Sequence, residues 1–156
     1  GTTILEGLQS LAEKQGITFI TDVNQASKAD KILLVLSEVP YAEMNGDTAD
    51  MSITGSLASP ENKAALELAN AQNKPIATLI IAGREVIIDE YVNQWNGLVM
   101  GFLPGSEGQG VADVLLGVKA FVGKLPMPWY KSVEDIGNEQ AELMYPIGYG
   151  LNYANN

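Results

Sequence analysis

Two patterns of apolar positions alternate along the chain. Thr3 to Gln15 carries Ile4, Leu5, Leu8, Leu11 and Ala12 at helical spacing, and Gly16 is a natural stop. Ile17 to Ile20 has the length of a short strand, and Asp22 to Lys28 that of one or two helical turns. Lys31 to Leu36 is a continuous apolar run of the kind buried on both faces of a sheet. Ser37 to Ala58 follows without clear periodicity. Ser59-Pro60-Glu61-Asn62 then predicts an N-cap with Pro at the first helical position, and a helix to about Gln72. Ile76 to Ala82 is a second buried strand. Val86 to Ile88 is a short extended stretch and Asp89 to Trp95 a helix. Leu98 to Leu103 is a third strand, and Gln109 to Leu116 a helix after the turn Pro104 to Gly110. From Gly117 onward Pro, Gly and aromatic residues dominate and no regular element is expected.

Continuous apolar strands separated by amphipathic helices predict an α/β fold. The expected form is a three-layer sandwich, flavodoxin-like or Rossmann-like, with a mostly parallel sheet and helices on both faces. Ligands of such sheets sit beyond the carboxyl ends of the strands. Three loops leave those ends, beginning at Ser37, Gly83 and Pro104. With no internal repeat, low-complexity tract or linker, residues 1–156 are expected to form one domain.

Composition narrows the chemistry. The 156 residues are 46% apolar and 18% charged, as in a globular chain with a sizeable core. With 19 Asp and Glu against 9 Lys and Arg, the net charge is −10. Such a surface disfavours nucleic acid and anionic membranes as partners. The chain has no Cys and no His, which excludes disulfides, thiol nucleophiles, Ser-His-Asp triads and imidazole metal ligands. Any chemistry therefore falls to carboxylates, Lys, Arg, Tyr, hydroxyls or a bound group. No apolar run approaches the roughly 20 residues of a spanning helix. The start at Gly1 without Met reads as a cut or processed terminus, so the compartment stays open between secreted, periplasmic and cytoplasmic.

Four segments could carry function. Ser37 to Asp47 holds Glu38, Glu43 and Asp47 with Tyr41 and a Gly46-Asp47 turn, directly after a buried strand. Converging carboxyls can do general acid/base work. The plain alternative is a polar surface loop, although loops of this length in compact domains are usually functional. Gly105 to Gly110 lies between strand and helix, where glycines let amides approach an anion. Its spacing is G-x-x-G-x-G rather than G-x-G-x-x-G, and Glu107 puts negative charge where a phosphate would sit, so a tight turn is favoured. Arg84 could clamp a carboxylate, but pairing with Glu85 or Asp89 is the simpler expectation. The aromatic tail, from Gly123 to Tyr130 and from Tyr145 to Tyr153, is expected to wrap the core rather than to stack a sugar. Glu43, Asp47 and Asp50 alone do not make a hard-cation site, so no metal is expected.

Taken in order, the pieces resemble one family. They are the strand Lys31 to Leu36, then Pro40-Tyr41-Ala42-Glu43 with Gly46-Asp47, then Ala82-Gly83-Arg84. Leu103-Pro104-Gly105-Ser106-Glu107-Gly108-Gln109-Gly110 comes next, then Gly123-Lys124-Leu125-Pro126, and last Tyr145-Pro146-Ile147-Gly148-Tyr149-Gly150-Leu151-Asn152-Tyr153. The set resembles the C-terminal α/β-sandwich domain of glycoside hydrolase family 3, the β-glucosidases and exo-β-glucanases, over nearly the whole chain. The chain departs from the family pattern at Ser37, at Glu85 where Pro is usual, at Phe102 where Trp is usual, and at Val118.

The resemblance implies that a catalytic TIM-barrel domain of the same protein supplies a nucleophilic Asp and is this chain's partner. It implies that Glu43 is the acid/base acting on a β-glucoside or β-glucan oligosaccharide. Glu38, Tyr41 and Asp47 would support its loop. Retaining hydrolysis needs two carboxyls roughly 5–5.5 Å apart, and no metal or cofactor. The acid must hold its proton before attack, and burial favours that form. The barrel, the first strand and the usual Gly-Gly-Trp segment are expected to lie before Gly1. The isolated chain is then expected to be inactive and, with a sheet edge open, to self-associate. The alternatives are a stand-alone nucleotide- or anion-binding module and a non-catalytic scaffold domain.

Overall fold

The structure, a computed structural model, describes residues 1–153 and is α/β, as the apolar pattern predicts. The chain folds as two compact units. One contains Gly1–Ala29, Leu103–Lys124 and the segment from Gly150; the other contains Asp30–Phe102 and Leu125–Tyr149.

The second unit is built on a three-stranded parallel sheet. Its strands are β1 (Ile32–Ser37), β2 (Ile76–Ile81) and β3 (Gly97–Met100), in spatial order 1-2-3. Register runs from Ile32 opposite Ile76 to Ser37 opposite Ile81, so the carboxyl ends of β1 and β2 finish side by side. Helix α2 (Asn62–Ala71) connects them and packs on β1, and the single turn α3 (Asp89–Val92) leads into β3. Leu34, Leu36, Ile76, Ile80, Leu66 and Ala69 meet Ile53, Val86, Ile88 and Trp129 in one core. Burying each large aliphatic side chain contributes about 1.5–3 kcal/mol.

Ser37 to Ala58 is long but closed at its base. Val39 donates its amide to Leu57 at 2.8 Å and Ser59 to Ser37 at 2.8 Å. A second seam joins it to the stretch after β2, where Ile87 donates to Met51 at 2.8 Å and Ile53 to Ile87 at 3.1 Å. Asn62, 3% exposed, fastens the end of β1 to the loop. Its amide nitrogen donates to Ser37 O at 2.8 Å and Ile53 O at 2.7 Å, and its oxygen accepts from Ser37 N at 3.2 Å.

In the first unit, α1 (Ile4–Lys14) begins at Thr3, which forms a capping box with Glu6, and ends before Gly16 at φ +70°. It packs against α4 (Gly108–Leu115). The contact is backbone-close at Gly108, where a Cβ would lie 2.3 Å from the Ile4 nitrogen. Gly108 donates its amide to Thr2 O at 2.9 Å. The glycine-rich turn is thus engaged in helix packing, and that amide is not free for an anion. Phe121 and Tyr153 pack with tilted rings, 5.2 Å between ring centres.

Four local expectations are corrected. Ile17 to Ile20 is not a strand: Ile17 is 45% exposed, and its amide closes the end of α1 by bonding Ala12 O. The helix α2 starts at Asn62 without a side-chain cap, because the Ser59 hydroxyl bonds the Glu61 carboxylate instead of an amide. β3 stops at Met100, and Phe102 takes φ +50°, which ends the extended run. The tail is not wholly irregular, since β4 (Trp129–Tyr130) pairs antiparallel with β5 (Leu143–Tyr145). Trp129 is buried there, donating Nε1 to Val86 O at 2.9 Å with its ring edge-on to Tyr145.

Gly108→Ala should destabilise the chain by about 2 kcal/mol or more, because backbone rather than a flexible side chain blocks the new methyl group. Asn62→Ala should cost about 2–3 kcal/mol by leaving the Ile53 carbonyl and the Ser37 amide without the partners Asn62 gives them. Denaturant midpoints of the two variants check both values.

Candidate active site

The parallel register brings Glu38, one residue past β1, beside the segment that leaves β2 through Ala82 and Gly83 to Arg84. The Glu38 side chain is 2% exposed and both its oxygens are partnered. Oε1 accepts from Arg84 Nη2 at 2.8 Å and Nε at 3.1 Å, and Oε2 accepts from the Tyr41 hydroxyl at 2.8 Å. A buried carboxylate is tolerated only with such compensation. Burial first, and then the hydrogen bond to Glu38, pushes the Tyr41 phenol above its ordinary value, so it remains a donor.

Arg84 therefore pairs with Glu38, 46 residues away, and not with Glu85 or Asp89 as sequence proximity suggests. Its remaining nitrogen, Nη1, donates to the Gly46 carbonyl at 3.1 Å, and the guanidinium lies 5.3 Å from the centre of the Tyr41 ring. Gly46 is needed for the fit, because a Cβ there would lie 2.8 Å from Tyr41 Cδ2.

Between Tyr41 and Gly46 the chain makes one 3-10 turn, Glu43–Gly46. Glu43 opens it at φ +49°, a left-handed conformation uncommon for a residue with a side chain and typical of functional sites. Its side chain is exposed, and the neighbouring Met44 is 82% exposed, so the turn presents itself to solvent. Asp47 follows the turn and is exposed; its amide closes the turn on Met44 O at 3.1 Å. The structure thus joins Glu38 and Tyr41 in one cluster with the turn that carries Glu43. Arg84 belongs to that cluster although local spacing did not place it there. No group of three or more acidic side chains that could hold a metal ion occurs among the described residues.

Glu85, the residue after Arg84, behaves differently. It is 7% exposed, and its Oε1 has no hydrogen-bond partner among the described residues. Burial pushes its carboxyl up to about 7.

This α/β architecture, with a turn-borne carboxylate at the carboxyl end of a parallel strand, has counterparts among carbohydrate-active enzymes. Residues 1–153 match the model of the glycosyl hydrolase family 3 C-terminal domain, and the chain belongs to that family. An exo-1,3/1,4-β-glucanase from a Pseudoalteromonas species superimposes with a TM-score of 0.83 at 33% identity, over 99% of this chain and 21% of that one. A lysosomal β-glucosidase of Dictyostelium discoideum is 28% identical over 142 residues, 84% of this chain and 17% of its own length. β-Glucosidase C of Emericella nidulans is 29% identical over 143 residues, 87% of this chain and 23% of its own. The chain thus spans about a fifth of the length of these relatives.

The buried carboxyl of Glu85, with one oxygen unpartnered among the described residues, makes a prediction about stability. Its proton is favoured by the folded state, so this contribution is fully present below the unfolded value near 4.5 and is lost as pH rises through about 7. Glu85→Gln should flatten the stability profile between pH 5 and 8, removing a loss on the order of 3 kcal/mol at most. Urea midpoints across that range read the slope, and a slope unchanged by the substitution contradicts the assignment.

Proposed function

We propose that this chain is the second domain of a retaining β-glucosidase or exo-β-glucanase, and that Glu43 is its general acid/base for hydrolysis of terminal β-linked glucose. The observation that carries the reading is the exposed Glu43–Gly46 turn, which Arg84 ties to the buried carboxylate at the end of β1. The names of the relatives, β-glucosidases and an exo-β-glucanase, supply the substrate class.

The reaction takes two steps. A carboxylate of the catalytic barrel domain attacks the anomeric carbon while the bond to the leaving oxygen breaks, and Glu43 gives that oxygen its proton. The Glu43 carboxylate then takes a proton from water as the water oxygen attacks the anomeric carbon. This frees the nucleophile and releases glucose with its configuration retained. The roles of this chain's residues follow. Glu43 moves the proton, Glu38 and Tyr41 hold the start of its loop, and Asp47 closes the turn. With only one carboxyl of the pair, the isolated chain is inactive, and the whole activity belongs to the longer protein.

In that longer protein, Glu43→Ala should lower kcat/KM on an alkyl β-glucoside by roughly 100-fold or more. The value on a 2,4-dinitrophenyl β-glucoside, whose leaving group needs no proton, should change little. Azide should then raise turnover and yield the β-glucosyl azide. Unchanged rates on both substrates would assign the acid elsewhere and leave this domain a scaffold.

A further inference from the structure

The geometry points to Arg84 as the positioning residue of the acid/base turn, acting through the Gly46 carbonyl and the Tyr41 ring. The inference rests on the assignment of Glu43 as the acid/base, and it concerns a residue to which that assignment gives no role.

The segment from Tyr41 to Gly46 is gripped at both ends by one guanidinium. Its cationic face lies 5.3 Å from the Tyr41 ring centre, and Nη1 holds the Gly46 carbonyl at 3.1 Å. Nε and Nη2 are fixed on the Glu38 oxygen, whose partner oxygen holds the Tyr41 hydroxyl. Three groups that bound the turn thus converge on one planar fork at the end of the sheet. Glu43 lies between the two grips, in a left-handed conformation that persists only where the surroundings over-determine it. The Glu43 side chain itself is exposed, so its place is set by the backbone on either side. The second point of closure is steric, since the absent Cβ of Gly46 lets the turn lie against the Tyr41 ring.

A lysine could neutralise Glu38 as a point charge, but it has no rigid fork to hold Glu38 and Gly46 together. The ion pair and the turn can therefore be separated. Arg84→Lys should keep the buried charge compensated and release the carbonyl. Gly46→Ala should leave Arg84 and Glu38 paired and displace the turn from the Tyr41 ring.

The test uses the full-length enzyme and compares an alkyl β-glucoside with a 2,4-dinitrophenyl β-glucoside. For both variants kcat/KM on the alkyl substrate should fall at least about 10-fold, against less than about 3-fold on the dinitrophenyl substrate, as for misplacement of a proton donor. Azide should raise turnover of the dinitrophenyl substrate. If Arg84→Lys fails to fold, Gly46→Ala alone carries the same readout. Equal losses on both substrates, or no loss on either, overturn the proposal, because a merely structural arginine does not discriminate leaving groups. Glu43→Ala is assayed beside them. If it shows the leaving-group dependence and the other two variants do not, only the positioning role falls. If Glu43→Ala itself shows none, the acid/base assignment falls, and the role of Arg84 with it.

Discussion

One buried carboxylate organises the carboxyl end of this sheet. Glu38 sits where two parallel strands finish in register, with its side chain almost wholly out of water. Removing such a charge from solvent costs several kcal/mol unless donors replace the water. Arg84 and Tyr41 supply them, and the same two side chains bracket the turn that carries Glu43. The requirement to satisfy Glu38 therefore fixes more than Glu38. Deleting Arg84 would leave a buried charge uncompensated, deleting the Tyr41 side chain would leave Oε2 without its donor, and either change would release one end of the turn.

The long loop after β1 is ordered by the same logic at lower energy. Its base is closed by amide–carbonyl bonds between Val39 and Leu57 and between Ser59 and Ser37, and Asn62 fastens the strand end to the loop from beneath. Asp50 draws the amides of Ser52 and Ser56 around itself at 3.4 and 2.7 Å, which makes the far side of the loop locally self-contained. A segment of this kind behaves as a compact Ω-like loop rather than a free tether. The turn at Glu43 stands out from it, with Met44 82% exposed beside an exposed Glu43 between ends that are held.

How much of this was legible in the chain follows from the range of each interaction. The two strands starting near Lys31 and Ile76 declare themselves by unbroken apolar runs, and a loop leaving the end of such a strand is where parallel sheets place their sites. Glu38, Tyr41 and Glu43 lie within six residues of one another and could be grouped on sight. Arg84 could not, because local spacing offers Glu85 and Asp89 as nearer partners. Only the register that sets Ser37 against Ile81 brings position 84 to position 38. The pairing of Trp129–Tyr130 with Leu143–Tyr145 was hidden for a related reason. Two or three residues are too few to show alternation, and what holds them is an indole donating across to Val86. The glycines of residues 105–110 were legible as a turn but not in their purpose. Gly108 serves the approach of α4 to the start of α1, a contact between segments far apart in the chain.

The contrast between Glu38 and Glu85 shows how closely the site is drawn. Both are buried acids near the carboxyl ends of neighbouring strands, yet one has every oxygen partnered and the other keeps an oxygen with none among the described residues. Arg84 lies next to Glu85 in the chain and could have neutralised it. Its guanidinium instead turns to Glu38 and to the Gly46 carbonyl, and Glu85 is left with a carboxyl pushed up to about 7. The local pair would have taken Arg84 away from Glu38, which is the more deeply buried of the two side chains and would then keep only the Tyr41 hydroxyl as a donor. The arrangement observed takes the longer-range pairing and leaves an unpaired acid beside it. What the longer range adds is a grip on both ends of the turn at Glu43. One guanidinium therefore does two things at once, compensating Glu38 and holding the turn at Gly46.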